Sequence, residues 1–228
     1  MFLTRYFPQK TAKFLLFTTV GTLALMGCSQ HTPVANVDSE IEQTAQNITY
    51  KHTTLDNLQA AYNGESNAHL MYLAFAKKAE EEGYQGAASL FKAAARAEEI
   101  HRDNHAKVIQ EMGATPRNSI NTPVVKSTPE NLENAIKGES YEREEMYPEF
   151  IKQAQTEGKP KAVQTFIYAS DAEAQHAQLY QQALQNLKTW KDAKEFYICP
   201  LSGATSITAD QNSCSTADGT KQQLEKVS

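Results

Sequence analysis

The chain has 228 residues, of which 40% are hydrophobic and 21% charged, with a formal charge of −5. That length and composition suit one domain of about 140–150 residues with appendages, and they exclude a wholly disordered chain. The acidic balance argues against nucleic acid as a partner. There are three cysteines, Cys28, Cys199 and Cys214, and an odd number outside the cytosol calls for an explanation.

The first 13 residues are cationic, with Arg5, Lys10 and Lys13 and no acid, and residues 14–26 form an apolar run. The run is too short to span a bilayer, which takes about 20 residues, and has the length of a signal-peptide core. It ends Leu25-Met26-Gly27-Cys28, which resembles a bacterial lipobox. The resemblance implies cleavage after Gly27 and a lipidated N-terminal Cys28; ordinary secretion or an uncleaved anchor is the alternative. Removal of residues 1–27 takes the charge from −5 to −8. Ser29 follows the cysteine, with no Asp to signal inner-membrane retention, so the expected location is the cell envelope, at the outer membrane and facing the periplasm. Residues 28–53 are polar, with Pro33 and several Asn, Gln and Thr, and read as a tether in which His31 and His52 are solvated.

Apolar residues then recur at spacings of three and four. The first helix is predicted over about 54–82, with Leu55, Leu58, Ala61, Tyr62, Glu65, His69, Tyr72 and Ala76 along one stripe. Glu65 on that stripe is the anomaly, because a carboxylate facing a core costs several kcal/mol unless something compensates it, roughly the effective penalty for a buried ion. Gly83 stops the helix, and a second runs over about 85–112 to Gly113, carrying Glu98-Glu99-Ile100-His101. His69 and His105 lie four residues from Glu65 and His101 and are read as supporting or exposed. Residues 114–128, with Pro116 and Pro123, form a crossover, and Ser127 or Thr128 caps a third helix with Pro129 in its first turn. Glu139 and Glu142 lie one turn apart on it, Glu145 follows, and Pro148 should kink or open the helix. A fourth helix, about 161–188, presents Phe166, Ser170, Glu173, His176 and Tyr180.

The four helices are two copies of one hairpin. Gly64-Glu65-Ser66 recurs as Gly138-Glu139-Ser140 at an offset of 74, whereas Gly83, Phe91, Ala97, Glu98 and His101 recur as Gly158, Phe166, Ala172, Glu173 and His176 at an offset of 75. A Glu on each first helix and a Glu-x-x-His on each second is the inward-facing ligand set of ferritin-like dinuclear carboxylate sites. The predicted fold is therefore all-α, a ferritin-like four-helix bundle over 54–190. Glu65, Glu98, Glu139, Glu142 and Glu173 would gather five negative charges in one cavity, which two divalent cations nearly balance. Carboxylate and imidazole without thiolate suit iron or manganese.

Here the chain resembles rubrerythrin, on the segments Tyr62-Asn63-Gly64-Glu65-Ser66, Ala97-Glu98-Glu99-Ile100-His101, Gly138-Glu139-Ser140-Tyr141-Glu142 with Met146-Tyr147-Pro148, and Ala172-Glu173-Ala174-Gln175-His176. The resemblance implies a non-haem di-iron peroxidase that reduces hydrogen peroxide to water in oxidative stress defence. Its metal ligands would be Glu65, Glu98, His101, Glu139, Glu142, Glu173 and His176, with Glu142 and His101 exchanging at one iron as the redox state changes. Tyr72 and Tyr147 would hydrogen-bond near the metals. A homodimer is implied as well.

Residues 191–228 depart from the family pattern. Rubrerythrins usually end in a rubredoxin-like module whose iron is held by two Cys-x-x-Cys knuckles. Here the knuckles read Cys199-Pro200-Leu201-Ser202-Gly203 and Cys214-Ser215-Thr216-Ala217-Asp218-Gly219, each without its second cysteine. No rubredoxin iron is expected, and the segment reads as a degenerate rubredoxin-like remnant. Cys199 and Cys214 either remain free thiols or pair as a disulfide, which would close a loop of about 15 residues worth roughly 3 kcal/mol in the chain-entropy model. Electrons for peroxide reduction would have to come from an external donor, since no nucleotide-binding glycine motif is present. Two alternatives remain: a ferroxidase or iron-binding lipoprotein, and a lipoprotein that keeps its metal only for structure.

Overall fold

The computed structural model describes residues 52–209, 213–215, 219 and 221–228. The signal sequence, Cys28 and nearly all of the tether lie outside the described residues. Among the described residues five α-helices make four rods: α1 (Thr54–Glu81), α2 (Gln85–Glu111), α3 (Thr128–Tyr141) continued by α4 (Tyr147–Thr156), and α5 (Pro160–Gln185). No helix among the described residues is long and apolar enough to cross a membrane. Five short strands follow. β1 (Phe196–Ile198) pairs antiparallel with both β2 (Thr205–Ser206) and β5 (Glu225–Val227), while β3 (Ser213–Ser215) pairs with β4 (Lys221–Gln223).

Both hairpins begin with a reciprocal cap. At α1, Thr53 Oγ1 accepts from the Asp56 N–H while the Asp56 carboxylate accepts from the Thr53 N–H; Ser127 and Glu130 do the same at α3. The next amide in each case is satisfied by the other half of the molecule. Thr54 N–H donates to Glu157 at 3.1 Å, and Thr128 N–H donates to Glu82 at 2.8 Å. These bonds hold the Glu82 and Glu157 carboxyls below the usual carboxylate range. Thr54 and Thr128, like Glu82 and Glu157, are repeat counterparts, so each hairpin end closes a helix start of its twin.

The third rod contains the irregularity expected at Pro148. Residues Glu142–Met146 form a π turn, closed by Tyr147 N–H donating to the Glu142 carbonyl five residues back. A π turn takes one more residue than an α turn. The repeat offset changes from 74 at Glu65/Glu139 to 75 at Tyr72/Tyr147, so the inserted residue of the second copy is absorbed in this turn. Residues beyond it return to the face their counterparts occupy in the first copy.

The crossover from α2 to α3 is strapped along α1 by three amide side chains. Gln59 bonds the Thr115 carbonyl and the Arg117 N–H, Asn63 accepts from the Ser119 N–H, and Asn67 bonds the Ser119 carbonyl and the Asn121 N–H. Four helical residues advance about 6 Å and two extended residues about 6.6 Å, so side chains four apart meet backbone groups two apart in register.

Two apolar clusters fill the bundle. One holds Tyr72, Phe75, Phe91, Leu132 and Tyr180, and the other Leu58, Ile109, Tyr147, Phe166 and Ala169. Along α1, α2 and α5 the stripe passes from one cluster to the other, and at the crossing point on each helix stands a buried glutamate: Glu65, Glu98 and Glu173. The three-stranded sheet packs on α2, and at the start of that helix Trp190 stacks on Phe196 and Gly86 N–H donates to the Trp190 carbonyl at 2.9 Å. A Cβ on Gly86 would lie 2.8 Å from the Asp192 carbonyl oxygen, so only glycine admits the tail this close.

Candidate metal centre

Glu65, Glu98, Glu139, Glu173, His101 and His176 are all buried in the bundle's middle, between the two apolar clusters. Their donor atoms fall into two groups of four. Glu65, Glu98, His101 and Glu173 form one, and Glu98, Glu139, Glu173 and His176 the other, each with donor atoms within 4.8 Å of one another. The groups share Glu98 and Glu173, so the arrangement follows the duplication: each hairpin supplies one terminal carboxylate, one imidazole and one shared carboxylate. The donor set fits two ions, one held in each group, with Glu98 and Glu173 available to both.

The imidazoles carry the decisive observation. His101 Nε2 lies 3.0 Å from the Ser202 carbonyl oxygen, which can only accept, so the Nε2 position bears a proton. His176 Nε2 lies 3.1 Å from Thr205 Oγ1, whose own proton goes to the Gly203 carbonyl at 2.9 Å, so it too bears a proton. Both Nδ1 atoms therefore face the carboxylates. His101 Nδ1 is 2.9 Å from Glu98 and 3.1 Å from Glu173; His176 Nδ1 is 2.9 Å from Glu173, 3.4 Å from Glu98 and 3.7 Å from Glu139. In neutral imidazoles those Nδ1 atoms present lone pairs to carboxylate oxygens, an arrangement that only an intervening cation or added protons can stabilise. One oxygen on each of Glu65, Glu98, Glu139 and Glu173 also accepts no hydrogen bond, a cost of about 1–3 kcal/mol apiece or more for a charged group if nothing else is bound.

Without cations the cluster stores protons instead. Burial, reinforced by the charges of Glu98 and Glu173, pushes the Glu65 carboxyl well up, and burial with Glu173 and Glu98 does the same to Glu139. Burial alone would depress both imidazoles, but Glu173 and Glu98 outweigh it at His101, and Glu139, Glu173 and Glu98 at His176, so both are raised. Burial would likewise raise Glu173, yet the two imidazoles, His101 foremost, hold it below the ordinary range.

Tyrosines from opposite halves hold the terminal carboxylates. Tyr72 donates to Glu139 at 2.6 Å and Tyr147 donates to Glu65, so each hairpin's tyrosine serves the other hairpin's glutamate. Burial, with the facing carboxylates, raises both phenols and keeps them protonated at neutral pH. Behind Tyr147 stands His105, whose Nε2 is 3.2 Å from the phenol oxygen and whose Nδ1 is 3.1 Å from Thr165 Oγ1. Since the Tyr147 proton points to Glu65, the run is directed throughout: Thr165 donates to His105, His105 to Tyr147, and Tyr147 to Glu65. Burial and the neighbouring His101 depress His105 to about 3, so it is neutral. His69, by contrast, faces away and donates to the Ala95 carbonyl at 2.7 Å.

Glu142 stands at the start of the π turn, outside both four-donor groups. Burial and the charges of Glu65 and Glu139 push its carboxyl well up. Cys199 and Cys214 are joined in a disulfide across 15 residues. Sequence reasoning passed over Ser202, Thr205 and Gln175, whose side chain accepts the Thr205 N–H at 2.7 Å; nothing in their local pattern marks them.

The rubrerythrin family model matches residues 56–184. Nigerythrin of Nitratidesulfovibrio vulgaris is 38% identical over 80% of this chain and 90% of its own, and rubrerythrin-2 of Clostridium acetobutylicum is 38% identical over 71% and 89%. A solved structure of fully reduced, all-ferrous nigerythrin superposes with a TM-score of 0.67 at 37% identity, covering 83% of this chain and 94% of that one. A Desulfovibrio desulfuricans bacterioferritin, 23% identical over 61% of this chain and 82% of its own, shares the ferritin-like fold at a TM-score of 0.56. With the paired Glu-x-x-His helices, the two bridged donor groups and a family match across most of the bundle, this chain belongs to the rubrerythrin family.

Proposed function

We propose that the protein is a di-iron peroxidase that reduces hydrogen peroxide to water, with electrons from an external donor. The reading is carried by two four-donor groups that share Glu98 and Glu173, with both imidazole lone pairs turned inward. Glu65 and His101 would hold one ion, Glu139 and His176 the other, with Glu98 and Glu173 common to both; in this reading Glu142 exchanges with His101 as the redox state changes. Two iron ions held there supply the two electrons that convert peroxide and two protons into two waters.

The chain supplies the rest. The apolar clusters on either side keep bulk water away, so charge in the site would be balanced by these side chains and the ions they hold. Tyr147 holds a proton on Oη against Glu65, and His105, itself held by Thr165, donates to that phenol oxygen and would stabilise it when the proton moves to Glu65. Tyr72 fixes Glu139 in the same way, without a histidine behind it. In this reading residues 191–228 are a rubredoxin-like remnant, the N-terminal segment anchors the protein through lipid on Cys28 at the periplasmic face of the outer membrane, and two copies associate as a homodimer.

The test is stopped-flow reoxidation of the anaerobically Fe(II)-loaded protein with peroxide and with dioxygen. Peroxide oxidising two irons per chain much faster than dioxygen is the expected result; equal rates, or fewer than two irons held, would remove the peroxidase reading. One observation favours iron oxidation or storage instead. With Cys199 and Cys214 bound to each other, the tail offers no thiolate for an electron-transfer iron.

A further inference from the structure

The turn that fixes both imidazoles is the turn that the disulfide closes. Cys199 follows β1, and its carbonyl accepts from the Ser202 N–H at 3.3 Å and the Gly203 N–H at 2.8 Å, while its own N–H donates to the Ala204 carbonyl at 2.9 Å. From that turn the Ser202 carbonyl reaches His101 and the Thr205 hydroxyl reaches His176. The fit leaves no slack: a Cβ on Gly203, at φ +77°, would lie 2.2 Å from His101 Nε2. Apart from the Cys199 bridge, the turn is tied down by Asn104, which donates to the Leu201 carbonyl at 2.9 Å, and by Gln175 on Thr205. Strand β2 on its far side pairs with β1 over only two residue pairs.

The bridge is also reachable. Cys199 is buried, but Cys214 is half-buried on a two-stranded ribbon, and a recess of about 200 Å³ lined by Tyr168, Asp171, Cys199 and Ser215 opens on the Cys199 side of the bridge. Asp171 and Ser215 are exposed at its mouth. Thiol–disulfide exchange needs an approach to one sulfur and release of the other.

We propose that the Cys199–Cys214 disulfide is a thiol-exchange site through which an external dithiol governs how firmly the metal centre is held, because opening the bridge frees the 199–205 turn from both imidazoles. A thiolate of the external dithiol attacks the Cys214 sulfur, the Cys199–Cys214 bond breaks, and Cys199 leaves as a thiolate that takes up a proton. The second external thiol then displaces Cys214, so the external dithiol leaves as a disulfide and the chain holds two thiols. The imidazole that has lost its Nε2 acceptor rotates and tautomerises more freely, which weakens Nδ1 as a donor; loss of such supporting partners typically costs 10- to 100-fold in metal affinity.

The inference rests on the reading of the cluster as a metal centre, and the experiment separates the two. Full-length protein, loaded with Fe(II) or Co(II), is treated anaerobically with dithiothreitol and freed of it. Differential alkylation with mass spectrometry then counts Cys199 and Cys214 thiols, chelator competition follows metal release, and hydrogen exchange follows the Gly203 and Thr205 amides. The expected result is full reduction of both cysteines in the native protein, at least about tenfold faster metal release, and faster exchange at Gly203 and Thr205. The C199S/C214S variant should match the reduced protein and ignore dithiothreitol. Resistance of the native bridge to reduction overturns the proposal, as does metal release or amide exchange that is the same in both states. Failure of the oxidised protein to hold two ions removes the metal-centre reading, and amide exchange in the metal-free protein still decides whether the turn is released.

Discussion

Removing the metals should reverse the sign of the protein's pH dependence. In the metal-free fold Glu65, Glu139 and Glu142 are pushed up by burial and mutual repulsion, and His101 and His176 are raised by the carboxylates around them. In the unfolded chain these carboxyls titrate near 4.3 and the imidazoles near 6.5. From about pH 6.5 upward, as long as these raised groups keep their protons, the folded state holds protons that the unfolded state has lost, and stability falls as pH rises. Each such proton is worth about 1.4 kcal/mol per pH unit, so two of the five groups remaining protonated give roughly 3 kcal/mol per unit, a large share of an ordinary domain's stability. The opposing groups act elsewhere. His105, depressed to about 3, lowers stability only as pH falls below about 6.5, and Glu173, depressed by the imidazoles, only as pH falls below about 4.5. With ions bound the ligands must be deprotonated, so stability should rise with pH over the same window. Urea denaturation of metal-free and anaerobic Fe(II)-loaded protein at three pH values in that window measures both slopes. A metal-free protein whose stability is flat or rises with pH would refute the reasoning.

Other variants probe individual parts. Gly203→Ala places a methyl on His101 and forces φ +77° on an L residue, so it should cost about 2 kcal/mol or more and lower the metal content, read by thermal melting and metal analysis. Tyr147→Phe leaves Glu65 without its phenol donor and His105 Nε2–H without an acceptor; it should cost about 1–3 kcal/mol and slow peroxide reoxidation at least about tenfold, while Tyr72→Phe should slow it less. Glu98→Gln removes a donor shared by both groups and should leave at most one ion per chain by metal analysis. Glu142→Ala, outside both groups, should retain two ions and still lose peroxide reactivity; retention of full peroxide reactivity would count against its role.

The site could be read from the sequence because its donors sit at helical spacing within a duplication. Glu-x-x-His occurs often by chance, but copies at a fixed offset constrain one another, and Glu65, whose repeat counterpart is Glu139, lies on an apolar stripe where a carboxylate needs a reason. Pro148 announced an irregular turn, and the shift of offset from 74 to 75 was visible too. What joined them, a π turn that takes in the extra residue, required the Tyr147 N–H to Glu142 bond. The reciprocal caps of Thr54 by Glu157 and Thr128 by Glu82 also obey the repeat, but polar residues at helix ends and exposed turns fit many roles, so the pairs do not stand out. The partners of the imidazoles were beyond reach. Ser202 contributes a backbone carbonyl, which any residue possesses, and its placement depends on how a short sheet lands on α2.

The duplication leaves neither half self-sufficient. Each hairpin takes from its twin an acceptor for the first amide of its leading helix, the phenol that holds its terminal glutamate, and one of the four donors of its metal pocket. A gene encoding one hairpin would make a product able to complete itself only by associating with a second copy, and such a dimer would recreate most of this centre on a true two-fold axis. Joined in one chain, the two copies need not be identical, and the second carries an extra residue, a π turn and Glu142. The crossover at 114–127 joins the two hairpins and is the natural place to cut: two fragments severed there should reassemble on mixing, with metal driving the complementation.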